Sequence, residues 1–508
     1  MIARITSATV LGISAIPVDV EVDIARGLYV FSVVGLPASS VSEARTRVRS
    51  ALNNTGYGFP PGRVTVNLAP GDLRKEGTAF DLPIALAILI AQGQLKPSAL
   101  NTTVFVGELA LDGRLRSVKG VLPIAMSVEK MGCQRLILPR ENLDEAGQVT
   151  GITVLGADTL VDVVEHLAAG RPLSDPKPSK VNQSDSMEVM ADLSEVQGQA
   201  VPRRALEIAA AGGHNLLLSG PPGSGKTLLC RCLPSILPPL GIAQAMESAA
   251  IASVAGTGRS IWKHAARRPF RAPHHTISDA GLIGGGRLAT PGEVSLAHHG
   301  VLFLDELPEF RRSALESLRQ PLEGGCVAIA RAEYTIEYPA RFMLAAAMNP
   351  CPCGYMGHPR KQCRCHPSEI DRYRRRISGP LFDRFDLMVH VEPVKLSFLS
   401  AHGGHESSKA VALRVYRARQ IQAERNHQRQ VHLNSHQSVQ ALLANGNFEG
   451  GSIKRFSDIC QQLDLTARGF HRCLRVARTI ADLENSAVVS KPHLDEALQF
   501  RPMSLQRT

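Results

Sequence analysis

No stretch of this chain stays apolar long enough to cross a bilayer. The longest such run, near residues 82–91, follows charged residues and contains Pro83, which excludes a helical membrane span. The opening Met-Ile-Ala-Arg-Ile-Thr has no extended apolar core, so no secretory leader is expected and the cytoplasm is the expected compartment. Internal repeats and low-complexity tracts are also missing, which excludes a solenoid or a biased tail. Aromatic residues are scarce at 5%, with one tryptophan in 508 residues. No acidic excess exists either: 57 Lys and Arg against 46 Asp and Glu leave a formal charge of +11. That balance suits a polyanion such as nucleic acid, although nucleotide binding alone also recruits cations.

What remains is ordinary for globular protein, 44% hydrophobic and 20% charged, and long enough for several domains. In a reducing compartment the ten cysteines are thiols or metal ligands rather than disulfides. Strand-like runs at 16–24, 64–68, 103–106 and 136–138 alternate with helical stretches at 40–55, 82–92 and 121–131, predicting an α/β domain over residues 1–168. Residues 169–190 are rich in Pro, Ser, Lys and Asp without an apolar period and read as a linker. A second α/β pattern fills 191–395, with strands expected at 215–219, 301–305 and 342–348. From 396 to 508 the pattern is helical, at 408–425, 435–444, 453–463, 467–483 and 491–500.

Gly220, Pro221, Pro222, Gly223, Ser224, Gly225, Lys226 and Thr227 follow an apolar strand and precede a helix, the context a phosphate-binding loop requires. Glycines let backbone N–H groups curl around phosphate oxygens at a helix N-terminus; Lys226 then reaches the β and γ phosphates and Thr227 holds Mg²⁺. The apolar run 301–304 delivers Asp305 toward Mg²⁺ and Glu306 toward an attacking water. A third strand ends at Asn349, whose amide is placed to position that water or sense the γ-phosphate. ATP and Mg²⁺ are the expected ligands.

Cys351-Pro-Cys353 and Cys363-Arg-Cys365 form two close thiol pairs with nine residues between them. Four such thiols suit a structural zinc ion, with a spacer shorter than usual and with His358 and His366 as alternative ligands. The run Arg372-Tyr-Arg374-Arg375-Arg376 lies beside them, either a solvated face or a grip on DNA. The other six cysteines lack a partner pattern and read as structural.

The phosphate loop and acidic strand resemble the AAA+ ATPases. The run from Gly284 to Gly300, Gly-Gly-Gly-Arg-Leu-Ala-Thr-Pro-Gly-Glu-Val-Ser-Leu-Ala-His-His-Gly, and Leu381-Phe-Asp-Arg384-Phe-Asp386-Leu narrow the likeness to the clade of magnesium chelatase ATPase subunits and MCM helicases. That resemblance implies that Arg384 is a finger reaching the γ-phosphate of a neighbouring subunit in a ring, most often a hexamer. It makes Arg468 the second sensor, with Arg472 as alternative. It also places two segments in a central pore. One carries Arg271 with His274 and His275; the other is a hairpin carrying Arg331 and Tyr334. Arginine meeting phosphates and aromatics stacking on bases would suit a nucleic-acid strand.

The N-terminal domain resembles the proteolytic domain of Lon. Lys75-Glu-Gly-Thr-Ala79-Phe-Asp stands where Lon carries its nucleophilic serine, Gly107 to Arg114 echoes a further Lon segment, and the catalytic lysine position falls on Leu122. With both members of the dyad replaced there is no acyl intermediate, unless Thr78 and Lys119 substitute for them. The whole order, a non-proteolytic Lon-like domain, a linker, a chelatase-type AAA+ core with a helical lid and a cysteine insert at 351–365, resembles the bacterial ComM/YifB family. The resemblance implies a hexameric ATP-driven helicase that migrates branches on single-stranded and branched DNA during homologous recombination and integration of transforming DNA. A chelatase-like ATPase remodelling a protein partner is the alternative.

Overall fold

The computed structural model describes residues 2–96, 100–176, 191–257, 267–286, 289–331, 335–393, 406–426 and 433–501. Its first layer is built on the strands Ile2–Leu11 and Ser14–Ala25; Val18, Val20 and Val22 alternate with less buried positions, whereas Ser7, Ala8 and Thr9 are buried in succession where the first strand is covered on both faces. They turn at Gly12 (φ 65°) into an antiparallel hairpin registered Leu11 opposite Ser14. The full sheet runs Val30–Val34, Arg63–Ala69, Ser14–Ala25, Ile2–Leu11, Thr103–Phe105, Arg135–Pro139, Thr153–Ala157. Against it lies the helix Asp81–Ala91, apolar on every side after Asp81 and buried at every position but Ile90, as a helix inside a domain is. The helix Leu160–Ala169 is closed at its start by a capping box between Thr159 and Asp162. The chain does not leave this layer at its end. Ser174 exchanges both backbone hydrogen bonds with Gly156, at 2.8 and 3.1 Å, so the first residues of the expected linker are tied to the sheet, and 177–190 lie outside the described residues.

The second layer is a five-stranded parallel sheet ordered Phe270–Arg271, Val301–Leu304, Met343–Met348, Leu216–Ser219, Leu387–His390. Its strands are apolar on both faces. Leu216, Leu218, Val301 and Phe303 face one core; Leu217, Leu302 and Leu304 face the other. The sensor strand Met343–Met348 therefore sits in the middle, between the acidic strand and the strand bearing the phosphate loop, and the C-terminal ends of all three share one edge. This is the AAA+ arrangement, and ligands bind in open α/β sheets at such strand ends.

The first core continues into the helices Ser408–Arg425, Val439–Asn445, Ser452–Gln462, Ala467–Leu483 and Lys491–Gln499, which form the lid. Within it Arg478 is fully buried. Its guanidinium donates to the carbonyls of Gly446 and Ser486 and to Asp482, which also takes a two-pronged pair from Arg425 at 2.7 Å. With every donor occupied, the charge is held inside.

Candidate nucleotide and metal sites

Gly223 (φ 75°) and Gly225 (φ 88°) occupy the left-handed region, which a glycine enters freely, and so bend the chain from the strand Leu216–Ser219 into the helix Lys226–Arg231. Gly220 passes so close to Val391 that an added Cβ would lie 2.3 Å from its carbonyl oxygen. Lys226 is folded onto the loop, donating to the carbonyls of Gly220 at 2.7 Å and Pro221 at 2.9 Å and to Asn349 Oδ1 at 3.2 Å. Burial pulls its pKa below the ordinary lysine value, against the opposing charges of Asp305 and Glu306. Ser224 Oγ is buried without a partner, a hydroxyl free to donate to a phosphate oxygen.

Thr227 Oγ1 donates to Asp305 Oδ2 at 2.7 Å, and the Glu306 N–H donates to Asp305 Oδ1 at 3.0 Å. Glu306 itself has φ 52°, a left-handed conformation uncommon for its type and typical of side chains held for a task. The structure thus brings Lys226, Thr227, Asp305, Glu306 and Asn349 to one edge of one sheet. Two neighbours of this group were expected elsewhere, His275 in a pore segment and Tyr373 within a basic run. His275 Nδ1 lies 3.6 Å from Glu306 Oε2 with its ring stacked 4.1 Å from that of His274; these histidines therefore border the acidic residue. Tyr373 is buried and hydrogen-bonded to the Asn349 backbone, with its phenol pushed up to about 12 by burial and then by Glu309.

The four cysteine sulfurs meet. Cys351 Sγ is 3.4 Å from Cys353 Sγ and 3.6 Å from Cys363 Sγ, Cys353 and Cys363 are 3.6 Å apart, and Cys353 N–H points to Cys365 Sγ at 3.3 Å. Tetrahedral zinc with Zn–S near 2.3 Å spaces its sulfurs by about 3.8 Å, so the set fits that ion. The backbone N–H of Arg364 draws the Cys353 thiol down to about 6, against burial, while Cys351 is raised, first by burial, and Cys365 is pushed up to about 12. His358 and His366 are engaged elsewhere. His358 Nδ1 accepts the N–H groups of Arg360 and Lys361 at 3.0 and 2.9 Å, and His366 stands at the N-terminus of the helix Pro367–Arg374. The cluster also leans on the phosphate loop: a Cβ on Gly354 would lie 2.6 Å from Pro222.

The arginines fall elsewhere. Arg384 is buried, donating to the Pro380 carbonyl at 2.5 Å and paired with Glu323, with Nε unsatisfied and its pKa lowered first by burial. Arg468 is exposed on the first turn of the helix Ala467–Leu483, and Arg472 pairs with the buried Asp386 at 2.5 Å. Among the described residues none of the three contacts Lys226, Asp305 or Glu306. Arg271 is not a free cation: it makes a two-pronged pair with Glu293 at 2.6 and 2.7 Å. Arg331 ends the strand Cys326–Ala330 with Nη2 buried and unpartnered. That strand pairs antiparallel with Thr335–Pro339, while Tyr334 lies outside the described residues.

A third cluster went unread in the sequence. Glu247 Oε2 accepts from Nε2 of His298 at 3.2 Å and of His299 at 2.7 Å. His298 Nδ1 accepts the Arg341 N–H at 3.0 Å, which puts its proton on Nε2. That nitrogen has no lone pair to offer a metal, and the group is a hydrogen-bonded clamp.

In the first domain the elbow is filled with ordinary bonds. Thr78 Oγ1 donates to Glu108, Asp81 takes a two-pronged pair from Arg47 at 2.6 and 3.0 Å, and Lys75 is buried with Nζ on the Pro70 carbonyl. No hydrogen bond joins Thr78 to Lys119 among the described residues.

Three family models match the chain: magnesium chelatase subunit ChlI over residues 192–399, subunit ChlI of Mg-chelatase over 20–142, and the magnesium chelatase subunit ChlI C-terminal model over 405–501. The protein YifB of Escherichia coli K12 is 45% identical over 495 residues, covering 97% of this chain and 95% of YifB. The competence protein ComM of Haemophilus influenzae is 44% identical over 509 residues, 99% of this chain and 98% of ComM. Lon protease 2 of Bacillus subtilis is 26% identical over 110 residues, 22% of this chain and 19% of that protein.

Proposed function

Because the chain belongs to the YifB/ComM family of Mg-chelatase-like AAA+ ATPases, we propose that it is an ATP-driven, hexameric DNA motor that displaces or migrates strands at branched DNA during recombination. The observation that carries the catalytic half is the convergence of Lys226, Thr227, Asp305, Glu306 and Asn349, with Thr227 already bonded to Asp305 at 2.7 Å. Thr227 and Asp305 would hold Mg²⁺, which supplies charge neutralisation to the phosphates. Lys226 exchanges the carbonyls of Gly220 and Pro221 for phosphate oxygens, while Glu306 orients the attacking water and takes its proton. Arg384 acts on the neighbouring subunit's site, which requires it to leave Glu323, and Arg468 senses the nucleotide from the lid. The boundaries 1–168, 169–190, 191–395 and 396–508 divide the chain into Lon-like domain, linker, core and lid; 394–405 lie outside the described residues. Four cysteines hold zinc beside the loop.

The DNA half is supported by full-length similarity to a relative named a competence protein and by the positive charge of +11. Arg331 and Tyr334 are the proposed contacts; at Arg271 a phosphate would have to displace Glu293. The test is ATP hydrolysis by the purified chain alone, with single-stranded DNA, with a three-stranded branched substrate and with an unfolded protein, following strand release in the DNA samples. Stimulation by DNA with ATP-dependent displacement is expected. Indifference to DNA would sink the motor and leave the chelatase-type remodeller, which the three magnesium chelatase models favour.

A further inference from the structure

Leu122, at the place a Lon-type protease gives its lysine, is fully buried against Ala249 and Ala250 of the helix Ile242–Ala255, with Ile13, Val149 and Met246 around the contact. Small residues on that helix let the two backbones approach. The Leu122 N–H donates to Ser253 Oγ at 3.3 Å and the Gly120 N–H to the Ser253 carbonyl at 3.1 Å. Past the helix end the Lys119 side chain runs over Gly256, where a Cβ would lie 2.7 Å from its Cε. The lysine position of the dyad is thus closed by a helix of the ATPase. A second contact lies nearby: Leu11 and Ile13, flanking the hairpin turn at Gly12, pack on the core that contains Ile336, and a Cβ on Gly12 would meet the Glu337 carbonyl at 3.0 Å.

The same helix also holds the residues that lead into the acidic strand. Ser248 Oγ donates to the His298 carbonyl at 3.1 Å, and Glu247 clamps His298 and His299. Gly300 and the strand Val301–Leu304, which delivers Asp305 and Glu306, follow directly. One rigid element therefore joins the Lon-like domain to the root of the acidic strand.

We infer that the abandoned proteolytic site is a docking surface whose partner is the chain's own helix Ile242–Ala255, and that docking there sets the rate of ATP turnover by holding Glu247 against His298 and His299. The inference rests on the ATP-hydrolysing reading of the phosphate-loop site, but docking is measurable without hydrolysis. The full-length chain is compared with Leu122→Lys, which puts an ammonium between two alanines, with Ala250→Glu, which charges the interface from the ATPase side, and with Leu122→Met as the size-conserving control. Amide hydrogen exchange over 242–255 and 296–304 is read beside kcat at saturating ATP and nucleotide affinity, without DNA. Both charged variants are expected to exchange faster in the two segments and to lose about tenfold in kcat, an ordinary coupling between sites, with nucleotide affinity retained and Leu122→Met unchanged. Faster exchange with unaltered kcat overturns the coupling, and unaltered exchange in both charged variants overturns the docking. If Leu122→Lys also loses protection in the first sheet, Ala250→Glu, which leaves the Lon-like core untouched, decides. A wild-type chain without ATP turnover overturns the reading of the ATP site instead, and exchange then decides docking alone.

Discussion

The Thr227 hydroxyl donates to Asp305 Oδ2 at 2.7 Å, tying the start of the phosphate-loop helix to the end of the acidic strand across one intervening strand. The pair fixes a carboxylate and a hydroxyl at metal-binding separation before nucleotide arrives, so little reorganisation is left for the chemical step.

Glu306 carries a different duty from its neighbour, since its backbone conformation turns it away from that pair and toward His275. Glu306→Gln is expected to bind ATP normally and to lose about 10²–10⁴ in turnover, the usual share of a general base. Lys226→Ala is expected to lose nucleotide binding. Equilibrium binding of a fluorescent ATP analogue beside single-turnover hydrolysis separates the two; normal turnover in either variant removes these assignments.

A finger that acts in trans makes a prediction no cis residue shares. Chains carrying Arg384→Ala and chains carrying Glu306→Gln should each be inactive, and mixing them should restore turnover, because some interfaces then pair an intact Glu306 with a neighbour's intact Arg384. Random equal mixing leaves about a quarter of interfaces complete. If the mixture stays at the level of its parts, Arg384 acts within its own chain, where its pairing with Glu323 already gives it a structural role.

Much of this was legible in the sequence. The helices at 408–425 and 467–483 were expected with the limits found, and the central strands within a residue or two, because long apolar periods and strand-loop-helix punctuation are local signals. The strand Ile2–Leu11 was not anticipated, since polar Arg4, Thr6 and Thr9 break its apolar character and only pairing with Ser14–Ala25 makes it a strand. Partnerships were the least legible. Nothing local to Arg271 announces Glu293, and nothing local to Leu122 announces Ala249, more than a hundred positions away. A loop sequence states what its backbone can do; which surface covers it is decided by the fold.

The cysteine cluster should bind about one zinc ion per chain, held as four thiolates. Cys353→Ser is expected to lower zinc content, measured by a chromogenic chelator after thiol modification. It should also lower ATP turnover, since Cys351 follows Asn349 by two residues and Gly354 packs on Pro222. A metal-free wild-type chain with full thermal stability would remove zinc from the account.

Acid should destabilise the chain at His298, whose neutral ring is buried and whose Nδ1 accepts the Arg341 N–H. Burial, and then the neighbouring His299, push the His298 pKa down to about 4, against the pull of Glu247, and burial lowers His299 in the same direction. An unfolded histidine titrates near 6.5, so between these values the native chain binds fewer protons than the unfolded one. The stability that rests on the neutral, buried histidines is therefore complete above about pH 6.5 and is lost as pH falls toward about 4, with a slope of up to about 1.4 kcal/mol per pH unit for each proton. Glu247, held below its ordinary range with burial opposed by the two histidines, adds a loss of the same sign at the acid end. Urea unfolding of the wild type should show a midpoint falling across this window. His298→Gln, which keeps a donor for Glu247 and an acceptor for Arg341 but cannot take a proton, should fall less steeply. Parallel curves for the two proteins would show that His298 does not titrate in this window and that its proton is held by something other than the clamp.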